Sequence, residues 1–168
     1  MREEYVIDTN VPIVANLATR DDADIPAACI AACVRYIKRI TQEGGLVLDE
    51  DGEIFQEYRN KLSLRGQSGQ GDAFVKWVFD HQWIESKVSR VKIHKQHDSY
   101  MEFPDHPGLE KFDPSDRKFV AVSNAHPGKP PILQATDSKW WGWKDALQLM
   151  GITVCFLCPS YIKEKFSG

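Results

Sequence analysis

Glu4-Tyr5-Val6-Ile7-Asp8-Thr9-Asn10 decides how this chain is read. Three apolar residues run straight into an aspartate. A buried strand that ends in a carboxylate presents it at the strand's C-terminal edge, where ligands bind in open α/β sheets. The pattern returns in Leu46-Val47-Leu48-Asp49 and in Ile132-Leu133-Gln134-Ala135-Thr136-Asp137. Strands are expected over 5–8, 46–49 and 132–137, with a last one over 152–157 that Pro159 closes and a short basic tail follows.

Between these strands the apolar spacing is helical. Helices are expected over 12–18, 25–43, 53–63, 72–85 and around 143–150, and a further one opens at Asp113-Pro114-Ser115-Asp116. Asp24 reads as an N-cap with Pro26 in the first turn, Asp72 and Asp113 as further caps, and Gly44-Gly45 as a helix stop. Residues 63–71 and 98–112 read as loops. Strands alternating with helices argue for an α/β fold with a mainly parallel sheet, helices on both faces, and a single domain over 1–168.

The 168 residues are 42% hydrophobic and 27% charged, ordinary values for a globular protein. No apolar run approaches the roughly 18 residues that span a membrane. Met1-Arg2-Glu3-Glu4 lacks a basic region followed by an apolar stretch, so the cytoplasm is the expected compartment and no membrane partner is expected. The net charge of −3 is unevenly spread: residues 1–57 hold 12 acids and 5 bases (−7), residues 58–168 hold 12 and 16 (+4). An acidic centre beside a basic region suits a metal-dependent nuclease, with carboxylates for the metal and cations for phosphates. The four cysteines, Cys29, Cys33, Cys155 and Cys158, are too sparse for a disulfide framework. They read as small buried hydrophobes in preference to a four-thiolate zinc site.

Asp8, Asp49 and Asp137 follow apolar strands, and Glu57 and Asp116 lie in helices that start near the same edge. Clustered carboxylates repel unless a cation neutralises them. Hard oxygen donors select Mg²⁺ or Mn²⁺, and one or two such ions activate water and stabilise the oxygens of an in-line phosphodiester displacement. Taken singly, Asp49 closes a turn, Asp113 caps a helix and Asp116 favours a helix dipole. Glu53 and Glu57, four apart on one helix, compete for one role, and Glu57 lies nearer the apolar stripe.

Tyr5-Val6-Ile7-Asp8-Thr9-Asn10 resembles the opening of PIN-domain nucleases. Later segments match in order: Glu57 after the second strand, Asp113-x-x-Asp116-Arg117-Lys118-Phe119-Val120, and Thr136-Asp137-Ser138. The resemblance runs through nearly the whole chain. It implies a three-layer α/β/α sandwich with a mainly parallel central sheet. It also implies a metal-dependent endoribonuclease that prefers single-stranded RNA, often the toxin of a toxin–antitoxin pair, with a cognate antitoxin and a homo-oligomer as further partners. Carried over by position, Asp8, Glu57, Asp116 and Asp137 hold Mg²⁺ or Mn²⁺, and Thr9 or Asn10 orients the Asp8 site. Many relatives carry an acid two residues beyond Asp137, where this chain has Lys139.

Lys87, Arg90, Lys92 and Lys95 form an acid-free strip that reads either as a phosphate contact or as a lysine-protected edge strand. His94 and His97 read as surface residues, and Trp140, Trp141 and Trp143 as packing groups more than base-stacking ones. Two rivals stand beside the nuclease: a non-catalytic PIN-like module that binds RNA or protein, and a phosphate-accepting α/β protein. The second needs an acid near the nucleophile, and Thr9 and Asn10 supply none.

Overall fold

The computed structural model describes residues 3–20 and 24–168. Among these residues, seven short strands are interspersed with seven α-helices: β1 Val6–Ile7, α1 Asn10–Ala15, α2 Ala27–Glu43, β2 Leu46–Asp49, α3 Glu53–Lys61, α4 Gln70–His81, β3 Val88–Val91, β4 Lys95–Gln96, β5 Ser99–Tyr100, α5 Arg117–Ala125, β6 Ile132–Gln134, α6 Lys139–Leu149, β7 Val154–Phe156 and α7 Pro159–Ser167. A three-stranded parallel sheet has the order β1-β6-β7, with Val6 opposite Ile132 and Leu133 opposite Cys155. β2 and β3 pair in parallel, Leu46 opposite Val88. A parallel bridge from Tyr5 to Leu46 sets this pair beside β1, through Tyr5 N to Gly45 O (2.8 Å) and Val47 N to Tyr5 O (2.9 Å). β4 and β5 form a small antiparallel hairpin.

The core runs the length of the chain. Val6, Ile7, Leu46, Ile132 and Leu133 are fully buried, as are Tyr58, Phe74, Phe119 and Trp140. α5 lies across β1, β2 and β6, while α1, α2 and α4 rest on one another. Gly71 is what lets α4 approach α1: a side chain there would meet the Pro12 carbonyl oxygen at 1.9 Å. No described helix is long and apolar enough to cross a membrane.

Several expected local features move. Pro26, with ψ 141°, is itself the N-cap of α2, and Asp24 makes no cap. The proline ring disfavours helical geometry in Ile25 before it, so the helix begins after Pro26. Gly44 and Gly45 end that helix at φ +82° and +103°, as expected. Asp72 sits in the first turn of α4, where its carboxylate accepts from Ser63 N (2.8 Å) and Gly69 N (3.1 Å). Residues after Asp113 form a 3-10 turn, Pro114–Asp116, before α5. α6 starts at Lys139 and so takes in all three tryptophans; Trp140 is core. The expected tail is a helix, α7, held by buried Ile162 and by Phe166 against Gly142.

The cysteine expectation is corrected. Cys29 and Cys158 are joined by a disulfide with Cα atoms 5.0 Å apart, while Cys33 is free and buried and Cys155 is free and half-buried. The partners sit 129 residues apart, one in the first turn of α2 and the other capping α7. No local spacing announces such a pair.

Candidate metal centre

Parallel strands end on one side, and β1, β2 and β6 each deliver an aspartate there. Asp8 is 5% exposed and accepts a hydrogen bond from Asn10 N (2.9 Å). The Asn10 side chain turns to the next loop, where its Oδ1 accepts from Thr136 N (2.5 Å) and Thr136 Oγ1 (2.8 Å). That clasp fixes the loop bearing Asp8 against the loop bearing Asp137. Tyr58, fully buried, donates to the Ile7 carbonyl (2.5 Å) and so ties α3 to β1. Glu57, its neighbour, then reaches Thr9, whose hydroxyl donates to Glu57 Oε2.

Asp8, Thr9, Asn10, Glu57, Asp116 and Asp137 line one cleft of about 340 Å³ with Lys61 and Ser115. The resemblance named Asp8, Glu57, Asp116 and Asp137 for this role, and the fold brings all four together. Asp113 joins them: carboxylate oxygens of Asp113, Asp116 and Asp137 lie within 4.8 Å of one another. Asp113 makes no helix cap with its side chain; it takes an ion pair from Lys139 at 2.9 Å.

Asp49 and Glu53 do other work. The Asp49 carboxylate, buried, accepts from Glu53 N (2.8 Å) and Ile54 N (2.9 Å) and so caps α3. Glu53 pairs with Lys95 at 2.7 Å. Asp49→Ala is expected to lower stability by about 1–3 kcal/mol in urea unfolding, because two amides at the helix start lose their acceptor in a buried place. An unchanged midpoint would show that the cap contributes nothing.

Burial, and then crowding, raise the pKa of two acids of the cleft. Burial pushes Asp8 well above the ordinary aspartate range, and the negative charges of Asp116, Glu57 and Asp137 push the same way, against the Asn10 amide. Asp116 rises from 3.8 to about 6, through burial first and then Asp137 and Glu57. Trp140 opposes that rise: its buried Nε1 satisfies no hydrogen-bond geometry, yet it lies near enough to favour the Asp116 carboxylate. A folded pKa above the unfolded one means that stability from this group is whole below about pH 4 and is lost as pH climbs through about 6. Asp116→Asn is therefore expected to stabilise metal-free protein at pH 8 by about 1–3 kcal/mol, allowing for solvent screening, and to match the unmutated chain at pH 3.5. Chelator-treated melts at the two pH values measure the difference.

The donors are hard oxygens. Around the cleft, Asp8, Glu57, Asp113, Asp116 and Asp137 face Lys61, Lys118 and Lys139, five carboxylates against three ammonium groups. A divalent oxygen-seeking cation matches both the donor type and the excess of carboxyl groups over ammonium groups.

Lys118 and Lys61 were not singled out in the sequence. Lys118 was visible only as a charge inside the Arg117-Lys118-Phe119 run, and its partner lies on another helix. The basic strip does not form one surface. Lys87 precedes β3 and so lies at the edge opposite Asp8, while Lys92 and Lys95 follow β3 and pair with Asp51 (2.8 Å) and Glu53. Arg90 stacks over Trp83 at 3.8 Å, and His94 pairs with Glu102 at 2.7 Å. A larger groove, of about 740 Å³ along α2, carries Arg20, Arg35, Lys38 and Arg39, and no carboxylate among the described residues. Chemistry rather than size selects the acidic cleft. No family model, curated protein or solved structure matches this chain.

Proposed function

We propose that this chain is an Mg²⁺- or Mn²⁺-dependent endoribonuclease on a PIN-like, three-layer α/β/α sandwich, of the kind that serves as a toxin or in defence. The observation that carries the reading is the convergence of Asp8, Glu57, Asp116 and Asp137, from four separate elements, on one cleft. Asp8, Asp116 and Asp137, with Asp113 beside them, would hold the ion, and Glu57 would face it with one oxygen already paired to Lys118. Bound there, it supplies charge for the phosphodiester oxygens and lowers the pKa of water. The chain's own residues orient and neutralise: the Asn10–Thr136 clasp fixes the relation of Asp8 to Asp137, and Lys61 offers the cleft a cation for a phosphate. Lys92 and Lys95 are held only by exposed ion pairs, which are weak, so an RNA backbone can compete for them.

One observation favours the rival, a non-catalytic RNA- or protein-binding module: two of the acids already carry a lysine, Glu57 at 2.7 Å and Asp113 at 2.9 Å. Calorimetric titration of chelator-stripped protein with Mn²⁺, followed by cleavage of a labelled single-stranded RNA, separates the two. The nuclease binds Mn²⁺ and cuts only with it. RNA binding without Mn²⁺ uptake or cutting would establish the module.

A further inference from the structure

We infer that Lys118 serves as the second cation of the acidic cleft, so that the site takes one divalent ion and not two; this rests on the metal-dependent reading above. Lys118 is only 9% exposed, which is rare for a lysine. Its ammonium donates to Glu57 Oε1 at 2.7 Å and to the Ser115 carbonyl, so its charge is lodged between two acceptors. The other oxygen of Glu57 receives the Thr9 hydroxyl. Glu57 thus has a donor on each oxygen and a matched charge before any ion arrives.

Two-ion sites need carboxylates shared between ions roughly 3.5–4 Å apart. On the Glu57 side of the cleft, the place of the second positive charge is taken by a fixed ammonium. On the other side, Asp113, Asp116 and Asp137 bring oxygens within 4.8 Å of one another, close enough to share one ion. Lys139 holds Asp113 there, but it is 61% exposed, and such a pair yields readily to a divalent ion. Lys118, with 11% of its side chain exposed, does not.

Manganese EPR and calorimetry on the stripped full chain test this. The unmutated chain should bind one Mn²⁺ and show no spin-coupled pair even in millimolar Mn²⁺. Lys118→Met leaves Glu57 with an unmatched charge and should bind two, with the coupled signal. Lys118→Arg keeps the charge and should bind one, and Lys118→Met with Glu57→Gln should return to one. Two ions in the unmutated chain overturn the inference and leave the metal reading standing, and this measurement needs no variant to fold. A single ion in folded Lys118→Met also overturns it. Absence of any bound ion from the unmutated chain overturns both readings together.

Discussion

Asp8→Asn is expected to abolish RNA cleavage, by more than about a hundredfold, and to leave the fold in place. Mutation of groups that merely orient metal ligands already costs about 10–100-fold, and Asp8 is proposed as a ligand itself. Asparagine has nearly the same shape, and its carbonyl oxygen can still accept from Asn10 N, as Asp8 Oδ2 does at 2.9 Å. The substitution also removes one negative charge from a buried group that Asp116, Glu57 and Asp137 already disfavour as an anion. Metal-free Asp8→Asn should therefore melt no lower than the unmutated chain at pH 8, while Mn²⁺ affinity and cleavage fall. The melt and the cleavage assay must be read together. Lost activity with a lost fold says nothing about the site, and full activity with an intact fold would sink the nuclease reading.

Asp8 and Asp49 were legible because their signal is local, whereas Asp137 stands in the loop three residues past β6, which ends at Gln134 and not at 137. An apolar run followed by an acid fixes both the strand and the edge on which the acid emerges. β2 falls on its expected residues for that reason, and Glu57 could be preferred over Glu53 from its place beside Phe55 and Tyr58. What the sequence hid is decided by contacts between distant elements. Asp113 reads as a cap because Asp-Pro commonly opens a helix, yet Lys139 draws its carboxylate to the cleft. Asp49 reads as a candidate ligand because it ends a strand, yet α3 begins close enough for its amides to claim both oxygens. Nothing local marks Lys118, whose partner Glu57 comes from α3. The basic segment reads equally as a phosphate contact or as an edge strand, and only the parallel register of β3 with β2 separates Lys87 from Lys92 and splits the strip.

Loss of the Cys29–Cys158 disulfide should have the largest effect on stability. The bond closes a loop of 129 residues. Chain-entropy reasoning assigns such a closure about 5 kcal/mol, and native disulfides measured by removal give about 2–5 kcal/mol. It joins α2, which lies against α1 and α4, to the start of α7, whose own hold is Ile162 and the contact of Phe166 with Gly142. Tyr161, packed against the core, and Lys163, over the Trp141 ring at 5.3 Å, add to that hold. Cys158→Ala, or the unmutated chain in reductant, is expected to lose about 3–4 kcal/mol and to melt roughly 10 °C lower. Cys33→Ala serves as the control. Cys33 is free and fully buried, with its thiol pushed up to about 12 by that burial, so this variant removes one small buried group and keeps the bond. The bond also bears on the expected compartment, since disulfides persist in oxidising surroundings and are rare in a reducing cytosol. Melts with and without reductant therefore measure two things together: how much the bond stabilises the chain, and how stable the chain is where thiols stay reduced. Equal melting temperatures in the two conditions would mean that the packing of α7 alone holds the C-terminal end of the fold.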